Sequence, residues 1–185
     1  MSERKINEWA LPHVRKFETY IDIGADTGTT SVPFLEKFKK VIAFEPNPVS
    51  FQELSKNLQI ESYNIALSNF IGETNLTIPV GGKNQWGTIT KERIAIWEEI
   101  ITIPVSVTTL DSYHFENVDF IKIDVEQGEY EVIIGALGTI KKCKPVIIFE
   151  NKRNEGDRVI PILESVGYKI KKYKSDTVAY WEETL

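Results

Sequence analysis

The chain has 185 residues, 42% hydrophobic and 26% charged, with 27 acidic against 22 basic side chains and a net charge of −5. This length and mix suit one domain, residues 1–185, that buries its own core without a disulfide or metal staple, and they exclude disorder, collagen and a disulfide scaffold. No apolar run approaches the roughly 20 residues of a membrane span, and the acidic balance gives no general attraction to nucleic acid.

The single cysteine, Cys143, allows no internal disulfide and reads as a spectator thiol in a reducing compartment. Met1 to Lys5 is not followed by an apolar core of signal-peptide type, so a cytoplasmic address is expected. Residues 1–18 form an N-terminal helical segment, one modestly amphipathic helix from Ile6 to Phe17 interrupted near Pro12. Tyr20-Ile21-Asp22-Ile23-Gly24 is a short β-rich run ending in glycine. Thr30 to Lys40 reads as a helix with Val32, Phe34, Leu35 and Phe38 on its apolar face. Val41 to Phe44 is a second buried strand, closed by Glu45-Pro46. Phe51, Leu54, Asn57 and Leu58 space the next helix, and Ser62 to Leu67 follows as a third strand.

Residues 72–107 form a β-rich insertion, with Leu76-Thr77-Ile78 and Ile103 to Val107 as strands around a loop from Gly81 to Gly87. Alternation then resumes with a strand over Val118 to Val125, a helix over Glu129 to Lys141 and a strand over Pro145 to Phe149. Asp157 to Val166 is helical and ends at Gly167, a C-cap. Tyr168 to Tyr173 and Thr177 to Trp181 pair as an antiparallel hairpin around Ser175-Asp176. Lysines 169, 171 and 172 in its first strand, with Lys174 just after it, suit a solvated sheet edge.

Strand alternating with helix predicts an α/β fold: a doubly wound, Rossmann-like sheet, mostly parallel, with an antiparallel C-terminal hairpin. Ligands in such sheets sit at the carboxyl ends of the strands. The candidates there are Asp22 to Gly28, Glu45-Pro46-Asn47, Ala66-Leu67-Ser68, Asp124-Val125-Glu126 and Glu150-Asn151. The first loop carries Gly24 and Gly28, so it is neither a G-x-G-x-x-G dinucleotide turn nor a Walker-type phosphate cradle. Its acids, Asp22 and Asp26, suit a ligand with positive charge and hydroxyl or amine donors better than a pyrophosphate. S-adenosylmethionine (SAM) fits that description. Glu45, at the end of the second strand, is placed to accept both ribose hydroxyls of an adenosine, which serves NAD and SAM alike; it also reads as a helix-start acid before Pro46.

Asp22-Ile23-Gly24-Ala25-Asp26-Thr27-Gly28, Phe44-Glu45-Pro46, Ala66-Leu67-Ser68, Thr109-Leu110-Asp111 and Ile121-Lys122-Ile123-Asp124-Val125-Glu126 occur in the order seen in FkbM-type methyltransferases. The chain resembles that family over residues 19–151. The resemblance implies a class I methyltransferase fold, SAM as cofactor and methylation of a hydroxyl group. It further implies that Gly24 to Gly28, with Ala25, hold the methionine part, that Glu45 takes the ribose and that Ala66-Leu67 lie along the adenine. Two positions depart from the pattern. Asp26 stands where the family usually has Asn, and the family's Asp-Val-Glu-Gly-x-Glu becomes Asp124 to Glu129 with its glycine displaced to Gly128.

Asp124 and Glu126 are the catalytic candidates, the first positioning the methyl end and the second serving as or orienting the base; Asp111 and Glu129 stand behind them as further base candidates and, with Trp86, as substrate contacts. Trp86, with Trp97, offers a lid or sugar-stacking platform. Asp124, Glu150 and Asn151 form a candidate oxygen-ligand set for Mg²⁺ or Ca²⁺. His13 and His114 read as structural. The expected partner is a small-molecule or carbohydrate acceptor, with no membrane or nucleic acid, and a homo-oligomer is allowed. A nicotinamide-dependent oxidoreductase and a non-catalytic adenosine-binding module are the alternatives.

Overall fold

A computed structural model describes residues 9–80, 87–90, 99–151 and 155–182. These form strands β1 (Thr19–Ile23), β2 (Lys40–Phe44), β3 (Ile60–Tyr63), β4 (Ala66–Leu67), β5 (Gly72–Pro79), β6 (Ile100–Thr108), β7 (Val118–Ile123), β8 (Val146–Glu150), β9 (Tyr168–Tyr173) and β10 (Asp176–Trp181). The helices are α1 (Pro48–Leu54), α2 (Glu129–Ile134), α3 (Leu137–Cys143) and α4 (Glu155–Ser165).

The main sheet runs β3-β2-β1-β7-β8-β10-β9. Its first five strands are mutually parallel, and β10 runs antiparallel to both β8 and β9. The chain moves outward from β1 to β3 and returns on the other side of β1 as β7, so the switch point lies between β1 and β7. Alternate side chains explain why these strands read as continuous apolar runs: both faces are covered. Tyr20, Val41, Ala43, Phe120 and Ile148 pack with Ala10, Phe34, Phe38 and Leu54 on one face. Ile21, Ile42, Phe44, Ile121 and Phe149 pack with Val132, Ile140, Val159 and Leu163 on the other.

The insertion adds a second sheet, β4-β6-β5, in which β6 pairs parallel with β4 and antiparallel with β5. The expected C-terminal hairpin is present, and its lysine-rich strand β9 is a sheet edge. No helix among the described residues is long and apolar enough to cross a membrane.

Four sequence expectations are corrected. Thr30 to Lys40 forms no α-helix but a 3-10 turn at Val32–Phe34, because Pro33 lacks the N–H that an α-helical ladder through this segment needs. Ser62 to Leu67 is not one strand: it divides into β3 and β4, and between them Asn64 donates its side-chain amide to the carbonyls of Glu45 and Pro46. The helix over Glu129 to Lys141 breaks into α2 and α3 at Gly135, where a Cβ would lie 2.0 Å from the Ser68 carbonyl oxygen. Helix α1 stops at Leu54, which leaves Leu58 94% exposed and off the core face. At the N-terminus, Leu11–His13 is a 3-10 turn containing Pro12, and residues 1–8 lie outside the described residues.

Candidate active site

The carboxyl ends of β1, β2 and β7 open into a cleft of about 570 Å³, continuous with solvent. Gly24 begins the turn after β1 at φ 79°, and a Cβ there would lie 2.0 Å from the Asp124 carbonyl oxygen. The glycine therefore permits the close approach of the β1 turn to the end of β7. The N–H groups of Gly24 and Ala25 both donate to the Phe44 carbonyl, at 2.9 and 3.1 Å, which fastens the turn to β2.

Asp26 sits at the tip of that turn with φ 50°. Its N–H donates to Glu45 Oε2 at 2.8 Å, and its Oδ1 accepts from the Ser50 hydroxyl of α1 at 2.6 Å. The Asn47 N–H donates to the other Glu45 oxygen, Oε1, at 2.7 Å. Glu45 is thus 7% exposed with a backbone donor on each oxygen, and each oxygen retains a further lone pair for a ligand hydroxyl. Burial raises its pKa from 4.5 to about 7; the two N–H donors oppose that rise, and the charges of Asp26 and Asp22 add to it. Asn47 also caps α1, its side chain accepting from the Val49 N–H.

Of the expected cofactor residues, Gly24, Asp26, Glu45, Pro46, Ala66, Leu67 and Asp124 line the cleft. Asp22, Ala25 and Gly28 do not; they shape the turn from beneath. Asp22 is fully buried, and its Oδ2 accepts from the hydroxyls of Thr30 at 2.8 Å and Ser31 at 2.6 Å. Its Oδ1 stands 3.6 Å from Lys122 Nζ. Gly28, at φ 80°, faces Leu54, whose Cδ1 would lie 2.6 Å from an added Cβ.

Asp124 lines the cleft with its side chain 40% exposed, and Lys122 Nζ lies 3.3 Å from its Oδ2. The chain then turns through two left-handed residues, Glu126 at φ 55° and Gln127 at φ 77°. Gly128, at φ −124°, does not use a glycine's freedom, so the displaced glycine leaves Gln127 in the conformation that glycine serves best. Glu126 is 9% exposed, and its carbonyl accepts from the Thr88 hydroxyl at 2.8 Å. Thr88 and Thr77 exchange backbone hydrogen bonds, so the insertion is riveted to the β7–α2 turn and supplies Leu76, Gly87, Thr88 and Ile89 to the cleft wall. No local signal in the chain marks Thr88, whose partner is 38 residues away.

The remaining candidates lie elsewhere. Asp111 caps α3: its Oδ1 accepts from the Thr139 N–H and hydroxyl, at 2.7 and 2.8 Å, and its Oδ2 accepts from the Gly138 N–H at 2.8 Å. An acid with both oxygens so engaged holds a helix end and does not line the cleft, contrary to its expected substrate contact. Glu129 is buried in the first turn of α2, 1% exposed, and is likewise absent from the lining. Trp86 and Trp97 lie outside the described residues.

Among the described residues no group of three or more His, Cys, Asp or Glu could hold a metal ion. Glu150 pairs across the sheet with Asp176, the Asn151 N–H donates to the Ser175 carbonyl, and neither is among the residues that line the cleft with Asp124. His13 stacks on Tyr180 at 3.8 Å, and His114 closes a 3-10 turn at φ 53°. Cys143 donates weakly to the carbonyls of Phe115 and Glu116.

A family model described as the methyltransferase FkbM domain matches residues 22–170. The chain belongs to the FkbM methyltransferase family. No curated protein matches it by sequence. Solved structures share the fold of this FkbM domain. Methyltransferase FkbM from Methylobacillus flagellatus KT superposes with a TM-score of 0.60 at 16% identity, over 95% of this chain and 50% of that one. The chain thus spans about half the length of the Methylobacillus protein. A candidate methyltransferase of Streptococcus mutans, in complex with S-adenosylhomocysteine (SAH), aligns at a TM-score of 0.56 and 9% identity over 96% of both chains. An rRNA methylase of Streptococcus thermophilus aligns at 0.55 and 9% identity, over 96% of this chain and 95% of that one. The sheet is that of class I methyltransferases, mostly parallel with antiparallel C-terminal strands.

Proposed function

We propose that this FkbM domain transfers the methyl group of SAM to a hydroxyl on a sugar or another small acceptor. Charge is the observation that carries the cofactor reading. Asp26, Glu45 and Asp124 line the cleft, and among the described lining residues there is no Lys, Arg or His. Such a wall attracts a sulfonium and an α-ammonium and repels the pyrophosphate of a dinucleotide. This disfavours the nicotinamide alternative.

The residues present fit SAM part by part. Glu45 would accept the ribose hydroxyls on lone pairs that the Asp26 and Asn47 N–H groups leave open. Phe44, Pro46, Ala66 and Leu67 give an apolar bed for the adenine. The turn at Gly24 brings bare backbone to the methionine part. When bound, SAM supplies an electrophilic methyl group.

The domain then has to align the acceptor oxygen and take its proton. Good alignment alone contributes several kcal/mol. Neither His13 nor His114 reaches the cleft, so the task falls to carboxylates. We assign Asp124, on the cleft wall, to the methyl end and Glu126, which lies in the adjoining turn and outside the described cleft lining, to the base or its orientation.

The test is transfer of label from [methyl-³H]SAM to a panel of simple sugars and alcohols, with wild type and Glu126→Gln. Labelled sugar or alcohol from wild type is expected, with turnover falling roughly 100-fold or more in the variant while SAM affinity holds. Unchanged turnover in Glu126→Gln would remove Glu126 from proton transfer. Label entering RNA but no hydroxyl compound would overturn the acceptor class. SAM binding with no transfer to any acceptor would favour a non-catalytic module.

A further inference from the structure

We propose that Lys122 is a positioning residue of the methyl-transfer site: its ammonium stands between Asp22 and Asp124 and fixes the Asp124 carboxylate at the cleft wall. The inference rests on the SAM reading above and adds a residue that reading does not use.

The register of β1 against β7 pairs Asp22 with Lys122. Asp124 directly follows β7 and continues its ladder by donating its N–H to the Ile23 carbonyl, so the two-residue period of a strand carries residues 122 and 124 to the same side. Lys122 Nζ consequently lies 3.6 Å from Asp22 Oδ1 and 3.3 Å from Asp124 Oδ2, with the lysine side chain 12% exposed. A lysine so covered needs carboxylate partners.

The two carboxylates are held unequally. Asp22 is 0% exposed, and the hydroxyls of Thr30 and Ser31 fasten its second oxygen beneath the glycine turn. Asp124 is 40% exposed, and Lys122 is the side chain that bonds its carboxylate among the described residues. The fixed end of this chain of contacts is therefore Asp22, and the end it positions is Asp124.

The Asp124 backbone is independently pinned, because its N–H donates to the Ile23 carbonyl at 2.9 Å and its own carbonyl abuts Gly24. Backbone contacts set where Asp124 stands, and Lys122 sets where its carboxylate lies. Loss of the ammonium would free that carboxylate to turn toward solvent, away from the bound cation.

Calorimetric titration with SAM tests this in wild type, Lys122→Met, Lys122→Arg, Asp124→Asn and the double variant Lys122→Met/Asp124→Asn, each with a thermal melt. Lys122→Met is expected to weaken SAM roughly tenfold, Lys122→Arg to keep affinity within about threefold, and the double to bind no more than about twofold worse than Asp124→Asn alone. Equal affinity of Lys122→Met and wild type would overturn the proposal. So would losses that multiply in the double variant, since those belong to a residue acting independently of Asp124.

Should Lys122→Met melt below the titration temperature, Asp22→Asn/Lys122→Met takes its place, because it removes the buried ammonium and the buried Asp22 carboxylate together. It is held to the same expectation against Asp22→Asn alone. No SAM binding by folded wild type would overturn the proposed function and this assignment together. Wild-type binding that the lysine variants do not alter would overturn this assignment alone.

Discussion

The Asp26 N–H donates to Glu45 Oε2 at 2.8 Å, so the carboxylate that ends β2 holds the tip of the turn that ends β1. One residue thereby joins two tasks, folding the glycine turn and presenting a carboxylate to the cleft.

Glu45 makes both tasks depend on pH. Burial raises its pKa to about 7 from 4.5. Native Glu45 therefore holds a proton that the unfolded chain releases between pH 4.5 and about 7. Its contribution to stability is present below that window and is lost as pH rises through it, by on the order of 3 kcal/mol. Ligand binding runs the opposite way, because the ionised carboxylate is the better acceptor for ribose hydroxyls. SAH is expected to bind roughly tenfold tighter at pH 8 than at pH 6. Glu45→Gln should flatten both profiles, as read by urea melts and by titration across that range.

Asp111 separates a helix cap from a substrate contact. Its three accepted bonds from Gly138 and Thr139 predict that Asp111→Ala costs about 1–2 kcal/mol in a denaturant melt. SAH affinity and turnover should remain within about twofold of wild type once the variant is folded. A loss of turnover without a loss of stability would return Asp111 to the acceptor site.

Those two residues show what the chain made legible. Most strand positions, the mostly parallel sheet and the place of Glu45 on the cleft wall could be read because both faces of the sheet are buried and ligand groups follow strand ends. Asp111 also follows a strand, but its partners lie 27 and 28 residues onward, and that distance concealed its capping role. Val32, Phe34, Leu35 and Phe38 have helical spacing, yet Pro33 outweighs it and a 3-10 turn results. The insertion was recognisable as β-rich, while the Thr88 contact that places it against Glu126 is purely tertiary. Asn47 followed by Pro48 was a local cap signal that could have been read.

Gln127 should be replaceable with profit to stability. At φ 77° a side chain strains the backbone, whereas glycine adopts that conformation freely. After the unfolded-state entropy of glycine is subtracted, Gln127→Gly is expected to stabilise the fold by about 1 kcal/mol, raising Tm by roughly 2–4 °C. A lowered Tm would show that the 8%-exposed side chain stabilises more through packing than its backbone costs.

Gly24→Ala tests the close approach of β1 to β7. The added Cβ would lie 2.0 Å from the Asp124 carbonyl oxygen, at φ 79°. A loss of about 3 kcal/mol or more is expected, with SAH binding abolished in whatever fraction folds. A variant with wild-type Tm and affinity would contradict the geometry assigned to this turn.

Titration of wild type with SAM, SAH and NADH, each alone, bears most directly on the central claim. A cleft lined by Asp26, Glu45 and Asp124 predicts that SAM and SAH bind and that NADH does not. Binding of NADH without SAM or SAH would contradict the account.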